Sequence, residues 1–250
     1  MSKKAEKFRL DALLVRHGLA ENPSRARAIV LSGRVFSGER RLEKPGMQLD
    51  VETPIELRGP QHPWASRGGV KLAFALQHFG IDPTDKTALD IGASHGGFTD
   101  VLCQGAARRI YAVDVGYGQL DWKLRNNPRV CVLERINARH LTNEEVPEAV
   151  DLIVCDASFI GLEKILPKPL SLAAPGAVLI ALIKPQFEVG KGKVGKRGVV
   201  REPAQHAEVC ERITAWLQTL PGWTVLGLTD SPILGSEGNK EFLIAARFEG

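Results

Sequence analysis

The sequence predicts an α/β protein: a mainly parallel sheet with helices on both faces, preceded by a small basic α+β module. Three observations predict it. Apolar runs at 87–91, 109–114, 130–134, 150–155 and 177–183 alternate with helical or polar stretches, the order expected of parallel strands joined by crossovers. A glycine-rich bend spanning Gly92 to Gly97 follows the first run, just where a helix should begin. Residues 1–60 hold 12 Lys/Arg against 8 Asp/Glu, while residues 61–250 hold 21 of each, so the formal charge of +4 resides entirely in the first quarter.

A chain of 250 residues can bury a large core without covalent staples. Its four cysteines, Cys103, Cys131, Cys155 and Cys210, lie far apart with no C-x-x-C pair and no histidine at ligand spacing, so buried thiols in a reducing compartment are expected and a metal is not. The N-terminus is basic without an apolar stretch behind it. No secretory signal is therefore expected, no apolar run reaches membrane-spanning length, and a cytoplasmic location follows as the expectation.

In chain order, Phe8, Leu10, Leu13 and Leu14 are spaced for one helical face that Gly18 stops. Ser24 is placed to cap a second helix carrying Ala26, Ile29 and Val30, which Gly33 ends. Short strands are expected at 34–36 and 48–51, with turns at Gly38 and Pro45-Gly46. Arg9, Arg16, Arg25, Arg27 and Arg34 surround these apolar positions, where several guanidinium groups could meet a phosphate backbone.

Prolines in residues 60–66 mark a linker between a module at 1–59 and a body at 67–250. An amphipathic helix with Leu72, Ala75, Leu76 and Phe79 follows it, and then the strands of the sheet. Helices are expected at 161–173 and 204–220, and further strands at 223–229 and 241–248.

The bend reads G-x-x-x-G-G rather than the G-x-G-x-x-G of dinucleotide sites, which weakens a nicotinamide reading. Asp90, two residues before the first glycine, suits S-adenosylmethionine, whose amino-acid end is cationic and carries no phosphate. Asp114 closes the next strand where an acid would meet ribose hydroxyls. Asp156 and Lys184 also stand at strand carboxyl ends, the side on which open α/β sheets bind ligands, and Lys71 and Glu241 join them as candidates for one site. The loop Gly190 to Gly198 alternates glycine with Lys191, Lys193, Lys196 and Arg197; leaving the sheet directly after Lys184, it is placed to clamp nucleic acid.

Arg9-Leu10-Asp11-x-Leu13-Leu14, Ser24-Arg25-Ala26-x-Ala28 and Ile29-x-x-x-Gly33-x-Val35 resemble the S4 RNA-binding domain. Further along, Ser66-Arg67-Gly68-Gly69-x-Lys71-Leu72, Leu89-Asp90-Ile91-Gly92-Ala93-Ser94-x-Gly96-Gly97-Phe98-Thr99, Asp156-x-Ser158-Phe159, Lys184-Pro185-Gln186-Phe187-Glu188 and Gly238-Asn239-x-Glu241-Phe242 resemble an FtsJ-like methyltransferase domain, and the whole chain resembles the TlyA (hemolysin A) family. That resemblance implies a Rossmann-like class I methyltransferase behind an S4 domain, methylating a ribose 2′-hydroxyl of ribosomal RNA, in free form or in ribosomal subunits, with cytidine as the nucleoside. It implies a catalytic tetrad of Lys71, Asp156, Lys184 and Glu241. It implies cofactor contacts from Asp90, Gly92, Ala93, Ser94, His95, Gly96, Gly97, Phe98, Thr99, Asp114, Val115, Asn137, Ala138 and Asp156, and it adds Arg67 to the RNA contacts. Lys184, desolvated beside the second cation Lys71, is then a candidate general base, the sequence leaving open which of the two lysines is neutral. An RNA-binding adaptor without catalysis is the alternative. A membrane-active hemolysin is another, for which the sequence supplies no amphipathic or spanning segment.

Overall fold

The chain divides into two units, Met1–Pro63 and Trp64–Gly250, and the computed structural model describes residues 6–58, 62–190, 194–195 and 198–250. The first unit runs β1 (Lys7–Arg9), α1 (Leu10–Arg16), α2 (Pro23–Leu31), β2 (Val35–Ser37), β3 (Arg40–Arg41), β4 (Gln48–Asp50) and β5 (Glu56–Leu57). Leu10, Leu14, Ala26, Ile29 and Val30 pack with Val35 and Leu42 into its core. Two expectations fail here. Phe8 belongs to β1, paired with Leu49 of β4, because extended backbone precedes the helix. The α2 cap is Asn22 rather than Ser24: Pro23 occupies the first helical position, where its missing N–H costs nothing, and the Asn22 side chain accepts from Arg25 N at 2.8 Å.

The second unit opens with α3 (Gly68–Phe79), β6 (Thr87–Ile91), α4 (Gly97–Gln104), β7 (Arg109–Asp114), α5 (Trp122–Arg125), β8 (Val130–Glu134) and β9 (Val150–Cys155). It continues through α6 (Leu162–Ile165), α7 (Pro167–Leu170), β10 (Ala173–Ile183), α8 (Pro185–Glu188), α9 (Pro203–Thr219), β11 (Trp223–Asp230) and β12 (Phe242–Phe248). The single helix expected at 161–173 is two short ones, since Pro167 lacks the N–H that a continuous helix needs and starts a new turn instead. The strand expected at 177–183 begins earlier, at Ala173, across a register shift.

The seven strands order as β11-β12-β10-β9-β6-β7-β8. Only β12 runs against the rest, hydrogen-bonded antiparallel to both β10 and β11. Side-chain alternation splits the core in two. Leu89, Ile91, Ile153, Cys155, Leu179 and Ala181 face α6, α7 and α9, while Ala88, Leu152, Val154, Ile180 and Leu182 face α3 and α4. Each fully buried Leu or Ile contributes about 1.5–3 kcal/mol.

Because β6 lies between β7 and β9, the connection leaving it diverges from the one leaving β9. That switch point is where an open α/β sheet accepts a ligand.

Candidate active site

The bend after β6 forms one wall of the site. A side chain at Gly92, whose φ is 81°, would bring its Cβ within 2.9 Å of the Ala157 backbone, so glycine lets the two loops abut at the switch point. At Gly97 a Cβ would collide with Ser66 Oγ, which is how the segment before α3 packs onto the start of α4. Ala65 N also donates to Asp100 Oδ2 at 2.7 Å, so the C-terminal part of the expected linker 60–66 is bound into the second unit; Pro60 and Gln61 lie outside the described residues.

Asp90 lies beneath this bend, fully buried. Its Oδ2 accepts from Thr99 Oγ1 at 2.6 Å, while its Oδ1 has no donor. Burial pushes its carboxyl up to about 7, against the pull of the Thr99 hydrogen bond and with help from the negative Asp156 and Asp114. Asp114 at the end of β7 accepts from Ser94 N at 2.8 Å and Gly116 N at 2.7 Å, fixing the bend to the neighbouring strand.

Two ion pairs form the rest. Lys71, on α3, meets Glu241, just before β12, at 2.6 Å. Lys184, after β10, meets Asp156 Oδ1, after β9, at 2.6 Å and donates to the Asp156 carbonyl and Ser158 Oγ, each at 2.9 Å. Lys71, Lys184 and Glu241 are buried, so each charge depends on its partner. All four side chains line one cavity of about 510 Å³, together with Gly92, Ala93, Ser94, Gly97 and Phe98. Among the other residues singled out for cofactor, Asp90, His95, Gly96, Thr99, Asp114, Val115, Asn137 and Ala138 stand outside this cavity wall. Asn137 caps the short turn Ala138–His140, and Val115 is exposed beside Asp114.

The wall also includes Ser158, Phe159, Gln186 and Asn239, to which sequence reasoning assigns no role. All four sit within motif stretches, and nearness to Asp156, Lys184 or Glu241 is the only signal they carry. Phe159 is 89% exposed with φ 67°, and its ring lies 5.0 Å from that of Phe187. A bulky residue held left-handed in solvent is the kind of strain that collects at functional sites. Asn239 is buried; its amide accepts from Val200 N and donates to the Gly198 and Ser236 carbonyls, tying the turn before Glu241 to the segment after the basic loop.

In the first unit, Arg9 and Arg27 converge on buried Asp11 at 2.8 and 3.2 Å, leaving each side chain at least half exposed. The Arg9 hydrogen bond foremost draws the Asp11 carboxyl down to about 2. Arg16 lies 4.8 Å over the Phe8 ring, Arg34 donates to the Arg58 carbonyl, and Arg25 is exposed on α2. In the second unit Arg67 donates to the Leu234 carbonyl at 2.8 Å. Lys191, Lys193, Lys196 and Arg197 lie outside the described residues. No group of His, Cys, Asp and Glu among the described residues could hold a metal, and no described helix is long and apolar enough to cross a membrane.

The family pattern of the FtsJ-like methyltransferases matches residues 64–248. The chain belongs to that family. Ahead of this FtsJ-like methyltransferase domain, residues 8–55 match the S4 domain. The chain is 43% identical over 244 residues to the 16S/23S rRNA (cytidine-2′-O)-methyltransferase TlyA of Mycobacterium tuberculosis, covering 97% of this chain and 91% of the relative. It is 36% identical over 240 residues to Hemolysin A of Brachyspira hyodysenteriae, covering 94% and 98%. A solved structure from Streptococcus thermophilus that carries the hemolysin name superposes with a TM-score of 0.75 at 40% identity, over 98% of this chain and 90% of that one. This FtsJ-like enzyme is therefore similar along nearly its whole length to a named rRNA methyltransferase.

Proposed function

We infer that this methyltransferase uses S-adenosylmethionine to methylate the ribose 2′-hydroxyl of a cytidine in ribosomal RNA, acting on rRNA or ribosomal subunits in the cytoplasm. The observation that carries the reading is the shared cavity: the glycine bend and both lysine–carboxylate pairs line one space. The relatives' names supply the substrate.

The residues present suit the cofactor. The bend lines the cavity through Gly92, Ala93, Ser94 and Gly97, Asp90 Oδ1 is an orphaned acceptor beneath it, and the Asp114 carboxylate closes the adjacent strand. Gly92, Ala93 and Ser94 would hold the amino-acid end, Asp114 the ribose, and Asn137 with Ala138 the base. When bound, the cofactor supplies an electrophilic methyl group.

The chain's own residues have two tasks. The first is to place a weakly acidic hydroxyl in line with the methyl group, which rigid positioning by buried ion pairs achieves. The second is to take the hydroxyl proton at Lys184 Nζ. That nitrogen must first release a proton; Asp156 Oδ1 is its ion-pair partner at 2.6 Å without hydrogen-bond alignment, and a turn of the carboxylate would let it receive the proton. Lys71, held by Glu241, would contact the substrate from the same cavity wall. The exposed edges of Arg9, Arg16, Arg25, Arg27 and Arg34 give the S4 domain its phosphate contacts, with Arg67 and the basic loop adding others.

The test uses ribosomal subunits from cells lacking the gene, purified protein and methyl-labelled S-adenosylmethionine. Label recovered as 2′-O-methylcytidine at a discrete position supports the reading; label on a base, or none, refutes it.

A further inference from the structure

Gln186 lies two residues beyond Lys184, at the second position of α8, and lines the same cavity. Its Oε1 is shut off from solvent and receives no hydrogen bond. A buried carbonyl oxygen without a donor is costly, and native folds leave few of them. Near a substrate cavity, the economical explanation is a donor that arrives with the substrate. Lys184 donates to Ser158, Lys71 pairs with Glu241, and Asn239 bonds three backbone groups; Asp156 Oδ1 also lacks a hydrogen bond but has the Lys184 ammonium 2.6 Å away, whereas Gln186 Oε1 has no cation beside it among the described residues. None of them turns to Gln186.

We propose that Gln186 holds the target nucleotide by its base, Oε1 accepting a hydrogen bond from the exocyclic 4-amino group of cytosine. This rests on the cytidine methyltransferase reading above. Given that substrate, the assignment follows from its chemistry. The Watson–Crick edge of cytosine carries two acceptors, O2 and N3, and one donor group, the 4-amine, so an acceptor orphan has one group to meet. Of the other donors, the 2′-hydroxyl gives its proton to the Lys184 step, and the cofactor's ammonium group belongs at Gly92, Ala93 and Ser94. Gln186 is joined to Lys184 through one intervening residue, Pro185, whose ring fixes the backbone. Holding the base would thus set the distance between the ribose of the same nucleotide and Lys184 Nζ.

The experiment is a cycle between protein and RNA. The target cytidine in full-length rRNA is replaced by the pyrimidin-2-one ribonucleoside, which lacks only the 4-amino group, and single-turnover methylation is measured for wild type, Gln186→Met and Gln186→Glu. Wild type loses roughly tenfold or more in kcat/KM on the altered RNA, as a site built around a donor does when the donor is removed. Gln186→Met shows that loss already on cytidine RNA and loses nothing more on the altered one. Gln186→Glu keeps an acceptor and still distinguishes the two RNAs. For Gln186→Met, melting temperature and S-adenosylmethionine affinity stay at wild-type values. The proposal is overturned if Gln186→Met slows both RNAs equally, if it weakens cofactor binding, if Gln186→Glu ceases to distinguish them, or if wild type ignores the 4-amino group. Wild type that methylates neither RNA nor native subunits refutes the function reading instead.

Discussion

Lys184 Nζ touches Asp156 twice, the side-chain Oδ1 at 2.6 Å and the backbone carbonyl at 2.9 Å. The amine is therefore aimed by the end of β9 as much as by its own strand, and its reach into the cavity is set before substrate arrives. Lys184→Ala should lower single-turnover methyl transfer by at least ~100-fold, with cofactor affinity within about twofold of wild type by calorimetry. Lys184→Arg should not rescue it, because a guanidinium stays protonated and cannot take the hydroxyl proton.

Lys71 and Glu241 form the other pair, 170 residues apart in sequence and both buried. Removing one partner strands a charge, so Lys71→Met and Glu241→Leu should each cost about 3–5 kcal/mol in urea unfolding. The double substitution removes both charges and should recover most of that stability. Activity should stay lost in all three, separating the pair's part in the reaction from its part in the fold.

The split between legible and hidden features follows from what each depends on. Strand ends and apolar alternation are local, so Leu89, Ile153 and Leu179 announce their strands, and Asp90, Asp114, Asp156 and Lys184 announce the carboxyl edge. Partner choice is tertiary. Nothing near Lys71 indicates Glu241, because that contact requires β12 to run antiparallel between β10 and β11. The helix expected at 161–173 fails at Pro167, a signal present in the sequence but outweighed by an apolar period. The cap moves to Asn22 for the same reason, a proline just after it. Phe159 shows the remaining gap: composition says to bury a phenylalanine, and the structure exposes it.

That exposed ring leads to a third prediction. Phe159 lies at the cavity beside Phe187, and an RNA base stacked on an aromatic ring gains about 1–3 kcal/mol. Phe159→Ala should raise KM for RNA by roughly ten- to a hundredfold on that scale, leaving cofactor affinity unchanged by calorimetry. Since little of the ring is buried, the fold should shift by no more than about 0.5 kcal/mol. A large stability loss with unchanged KM would make Phe159 a packing residue.

Asp90 makes a prediction with a defined sign. Its carboxyl titrates at about 7 in the folded chain, against an ordinary value of 3.8, chiefly because burial penalises the anion. The unfolded chain thus gives up this proton first as pH rises. The contribution to stability is fully present below about 4 and declines until the folded carboxyl ionises near 7, a loss of up to roughly 4 kcal/mol. Asp90→Asn keeps an oxygen for the Thr99 hydroxyl and cannot ionise, so the stability difference between variant and wild type should grow in the variant's favour from pH 4 to 8 and level off above it. Urea unfolding of the cofactor-free protein across that range measures it. A flat difference would mean that Asp90 ionises in the fold as readily as in water. Bound cofactor should shrink the slope, because a cation above the bend favours the carboxylate that Oδ1, having no donor, otherwise leaves uncompensated.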